Sequence, residues 1–84
     1  MALKAIQDAE RARVDALTAD ALRWQQAETI RSYPAAIESD ARQQGGLSAE
    51  QAEFLDWAKR KADWLDPRIR RPDTVLDQEI RIPY

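Results

Sequence analysis

Cysteine and histidine are both missing from this 84-residue chain. Without them there is no disulfide, no thiolate nucleophile, no imidazole general base and no zinc site of the Cys/His type. Glycine occurs only as the pair Gly45-Gly46, which leaves no glycine-rich phosphate loop. Nothing approaches the ~20 apolar residues of a membrane span, and the Met-Ala-Leu-Lys start lacks the basic-then-apolar layout of a secretion signal. A cytoplasmic protein without membrane contact is the expectation. Neither charge sign dominates, with 13 Lys and Arg against 15 Asp and Glu, which disfavours wholesale polyanion binding. The acidic residues alternate with basic ones as exposed helix charges do, and no two share an apolar stripe where burial would raise a pKa. Ser32, Ser39 and Ser48 read as turn or capping residues. The chain is expected not to be an enzyme and to use no cofactor, metal or small-molecule substrate.

Residues 2 to 32 contain neither glycine nor proline and are rich in Ala, Glu, Arg and Gln, which are strong helix formers. Opposite charges recur at helical spacing, among them Lys4/Asp8, Glu10/Arg13, Arg11/Asp15 and Glu28/Arg31, and such pairs favour an exposed helix. A first helix is therefore expected over about 2–44, kinked or broken near Pro34, which cannot donate to the Ile30 carbonyl and clashes with it. A kink is favoured because Ile30, Tyr33 and Ile37 keep their phase across the proline. Gly45 suits the left-handed position that closes a helix, and Gly46 lets the chain reverse. Ser48-Ala49-Glu50-Gln51 has the form of a capping box. It opens a second helix over about 49–65, which Asp66-Pro67 ends.

The fold class expected is all-α: a helical hairpin over 1–67 and a mixed, basic tail over 68–84. The tail reads as largely irregular, with one helical turn at 73–77 capped by Asp73 or Thr74. Residues 79–84 alternate like a strand but have no second strand to pair with.

Two apolar stripes run along the first helix. At 100° per residue, Leu3, Ile6, Val14, Leu17, Ala21 and Trp24 fall within about 80°, and Leu22, Ile30, Tyr33, Ile37 and Ala41 within about 100°, centred roughly 160° away. The second stripe is expected to form the core with Phe54, Leu55, Ala58, Ala62 and Leu65, and with Trp57 and Trp64 along one edge. A peptide groove is the other reading of those tryptophans, and core is the expected one. The first helix also outreaches the second by some 20 Å at 1.5 Å per residue. The expectation is that the overhang, carrying Leu3, Ile6, Val14, Leu17 and Trp24, is a partner-binding face; a helix that frays there, or folds back onto the tail, is the alternative. A coiled-coil heptad does not explain this stripe, because Arg13 and Asp20 fall on would-be seam positions. Leu3/Val14 and Ile6/Leu17 lie eleven apart, a straighter spacing.

Two runs, Trp24, Ala27, Ile30, Arg31, Tyr33 and then Phe54, Leu55, Trp57, Ala58, Ala62, Asp63, Asp66, Pro67, carry a resemblance. They resemble the C-terminal helical segment of larger uncharacterised bacterial proteins, some on mobile elements. The chain departs from that pattern at Pro34, where a β-branched residue is expected, and in its longer tail. The resemblance implies a detached C-terminal module and no known activity.

The function expected is non-catalytic protein–protein interaction, by self-association or docking to a larger assembly. The alternative is a nucleic-acid-binding accessory protein using Lys59, Arg60, Arg68, Arg70 and Arg71, with Trp64 placed to stack on a base. Lys59, Arg60 and Lys61 point about 100° apart around a helix, so they do not share one phosphate track.

Overall fold

Alanine and alternating charges carry the first helix, α1, over Leu3–Gln43 in the computed structural model, which describes residues 2–78. Pro34 lies inside α1 and does not break it. Its side chain is fully buried, on the face that meets the second helix. In the turns leading to it, Thr29 Oγ1 donates to the Gln25 carbonyl and Ser32 Oγ to the Glu28 carbonyl, at 3.0 and 2.9 Å. Back-bonding of this kind accompanies helix bending.

α1 closes as the glycine pair dictates. The Gly46 N–H donates to the Ala41 carbonyl at 2.8 Å, and Gly45 and Gly46 both have positive φ, 112° and 117°. The second helix, α2, spans Ala49–Leu65. Its capping box is complete: Gln51 N–H donates to Ser48 Oγ at 3.1 Å, and Ser48 N–H donates to Gln51 Oε1 at 2.9 Å.

The hairpin seam keeps Ala41, Leu55, Ala58 and Ala62 of the expected core and differs from it elsewhere. Its buried apolar residues are Ala27, Ala41, Leu55, Ala58 and Ala62, with Pro34. Ala27, Pro34 and Ala41 recur every seven residues, along the edge of the second apolar stripe, to which Ala41 belongs. Small side chains let the helix axes approach closely, and that packing outweighs aligning the larger ones. Ile30 and Ile37 are therefore only half-buried, while Leu22 and Tyr33 are exposed. The aromatic edge is corrected too: Phe54 and Trp57 face solvent, Trp57 at 49% exposure, and only Trp64 is half-buried.

Past α2 the chain folds back rather than leaving. Asp73 Oδ1 accepts from the N–H groups of Val75 and Leu76, both at 2.9 Å, giving the expected capped turn. Asp73 also pairs with Lys61, and Trp64 Nε1 donates to Asp77 Oδ1 at 2.7 Å, so α2 holds the turn. The strand-like reading of 79–84 lies outside the described residues. The molecule measures 67 × 36 × 18 Å, its length set by α1. Among the described residues no helix is long and apolar enough to cross a membrane.

Candidate functional site

Every helix ends with carbonyls that lack intrahelical donors, and α2 ends against a proline that supplies none. Donors arrive from elsewhere. Arg71 N–H reaches the Asp63 carbonyl at 3.2 Å. From α1, Arg23 Nη2 donates to the Trp64 carbonyl and Nε to the Leu65 carbonyl, both at 3.1 Å. Ile69 and Arg70 N–H groups take the Asp66 carbonyl at 3.0 and 2.8 Å, the latter from a left-handed Arg70, φ 52°. A cation at a helix C-terminus also meets the negative end of the helix dipole. Arg23 therefore fastens the two helices where the seam alanines run out, with its guanidinium stacked 5.1 Å from the Trp64 ring.

Beside this cap sits Asp66, whose side chain is 0% exposed. A buried carboxylate is costly unless paired and hydrogen-bonded. Here Oδ1 accepts from Arg68 N–H at 2.9 Å and Arg68 Nε at 3.3 Å. Oδ2 accepts from Arg31 Nη1 at 2.8 Å and Arg68 Nη2 at 3.2 Å. The Arg68 bonds, then Arg31, hold Asp66 well below the ordinary carboxylate range despite its burial. Arg31 also bonds Asp63 at 2.9 Å and Glu28 at 3.0 Å, and Asp66 and Asp63 push its guanidinium pKa upward. This cluster is a permanent ionic lock. A depressed, fully engaged carboxylate is the opposite of a general base poised near neutrality. Among the described residues no group of three or more acidic side chains could hold a metal ion.

The five cations of the nucleic-acid reading each meet a carboxylate. Lys59 approaches Glu38 at 3.8 Å, Arg60 pairs with Asp56 at 3.2 Å and Arg68 with Asp66 at 3.2 Å. Arg70 approaches Asp20 at 3.7 Å and Arg71 approaches Asp63 at 3.9 Å. Arg70 and Arg71 line one pocket of about 400 Å³ with Arg23, Trp64, Asp20 and Asp77, and Lys59, Arg60 and Arg68 are not part of its lining.

The proposed partner-binding residues are arranged otherwise. Every residue from Ala2 to Ala19 is exposed. Leu3 and Leu17 stand at 68% and 69% exposure, and Ile6 and Val14 are half exposed or more. Trp24 sits at the junction with the hairpin, its ring 5.9 Å from the Arg68 guanidinium. Along the face that continues the hairpin seam run Ala2, Ala5, Ala9, Ala12, Ala16 and Ala19, spaced alternately three and four.

A second apolar surface corresponds to the groove reading of the α2 aromatics, the less favoured one. Tyr33, Pro34, Phe54, Trp57 and Ala58 line a groove of about 440 Å³ on one side of the hairpin, with the Phe54 and Trp57 rings 6.0 Å apart. The sequence signal for it was the aromatic pair three apart on α2, masked by the expectation that a small chain buries its large side chains.

No protein-family model, curated protein or solved structure matches this chain.

Proposed function

We propose that this chain is a non-catalytic protein–protein interaction module, cytoplasmic, whose hairpin supports a binding surface on the N-terminal half of α1. The observation that carries the reading is the uncovered stripe Leu3, Ile6, Val14 and Leu17 on the part of α1 where every described residue from 2 to 19 is exposed. Total surface supports it. The protein exposes 7203 Å², whereas a compact monomer of 9.6 kDa exposes roughly 5,100 Å². Each partner in a standard interface covers about 800 Å². The all-round pairing of Lys59, Arg60, Arg68, Arg70 and Arg71 supports association over nucleic-acid binding.

Site-specific photo-crosslinking in cells tests this reading. A photoreactive residue at position 17 should give a covalent adduct, and one at position 15, on the opposite face, should not. No adduct from position 17, or equal adducts from both, contradicts it.

A further inference from the structure

Resting on that reading, we infer that the partner is a second copy of this chain, bound antiparallel along the first five turns of α1. The uncovered segment is its own complement in length and, along most of the stripe, in pattern. A two-fold axis between Arg11 and Ala12 lays residues 3–20 of one copy along residues 20–3 of the other. It sets Ile6 opposite Leu17 and Glu10 opposite Arg13, with Leu3 level with Asp20, each pair occurring twice by symmetry.

Two observations support this occupant. The first is charge. Arg13 sits beside the apolar stripe, where a partner helix must desolvate it, and only a facing carboxylate makes that tolerable. In this register Glu10 of the second copy supplies one. Within a single chain Glu10 and Arg13 are 3.5 Å apart and largely exposed, at 66% and 81%, so both are free to turn to a partner. The segment carries Lys4, Arg11 and Arg13 against Asp8, Glu10, Asp15 and Asp20, a balance that does not repel its own copy. The second is area. The surface in excess of a compact monomer, roughly 2,000 Å², is larger than a standard interface removes from one partner. An isologous pairing also closes on itself and leaves no free apolar end to build a fibre.

The test uses the full chain in sedimentation velocity at roughly 50 µM, where a micromolar dimer is mostly assembled. The wild-type chain should sediment as a dimer. Glu10→Arg and Arg13→Glu should each weaken the dimer by at least roughly tenfold, because each sets like charges opposite one another twice. An equimolar mixture of the two should recover association, since both arginines of one variant then face both glutamates of the other; circular dichroism confirms that both variants stay helical. A monomeric wild type, variants that dimerise as well as wild type, or a mixture no better than its components would each overturn the inference. The crosslinking experiment separates the two readings. An adduct of twice the chain mass supports this inference, an adduct of any other mass overturns it while leaving the interaction module standing, and no adduct removes both.

Discussion

Asp66 concentrates the chemistry of the hairpin in one side chain. It has no exposure, closes α2 and accepts hydrogen bonds from Arg31 of α1 and from Arg68. Removing its charge leaves Arg31 beside an unmatched amide in a site with little water, so Asp66→Asn should lower the melting temperature by several degrees with little change in helix content before the transition. Acid acts on the same group. Asp66, Asp73 and Asp77 all have pKa values below the ordinary 3.8, Asp73 down to about 2 through the Leu76 N–H and Lys61. Carboxylates depressed by folding stabilise the folded state fully above their unfolded pKa and lose that contribution as pH falls through the folded value. Thermal melts should therefore be flat from roughly pH 7 to 5 and fall steeply from roughly pH 4 to 2. The Asp66→Asn variant should show a shallower acid limb, and an unchanged limb would contradict the role given to Asp66.

At the scale of elements, the turn and the caps were legible in the sequence because their signals are local. Gly45-Gly46 and Ser48-x-x-Gln51 specify a stop and a start through backbone bonds that need no distant partner, and both formed as read. Ser48→Ala should cost about 1 kcal/mol, measured by denaturant unfolding. The seam was legible in part. Ala41, Leu55, Ala58 and Ala62 fall in the expected core and are buried, whereas weighing large side chains points to Leu22, Tyr33, Phe54 and Trp57, which are exposed, and passes over Ala27 and Pro34. Arg23 and Arg31 fix that rotation by reaching across to the end of α2, and hydropathy periodicity gives such residues no weight. Ala62 is 0% exposed, so Ala62→Leu should force the helices apart at a cost of about 1–3 kcal/mol. Trp57→Ala, on the open groove, should leave stability within about 0.5 kcal/mol. The reverse order of these two effects would restore the aromatic core.

For the molecule as a whole, α1 runs 41 residues and α2 only 17, and this mismatch is what the sequence showed best about a site. Leu3, Ile6, Val14 and Leu17 were placed on an overhang by length and phase alone, and they are exposed there. Leu17→Asp should therefore abolish association while leaving hairpin stability within about 0.5 kcal/mol, because it removes no intramolecular packing. A helix end without tertiary cover gains nothing from packing and frays from its free terminus. Hydrogen–deuterium exchange resolved by peptide, at two protein concentrations, therefore tests the central claim most directly. The account predicts that amides over residues 4–19 exchange rapidly in dilute protein and become protected as concentration rises, while those over residues 52–65 are equally protected in both. Protection of residues 4–19 that is high even in dilute protein, or low at every concentration, would contradict it.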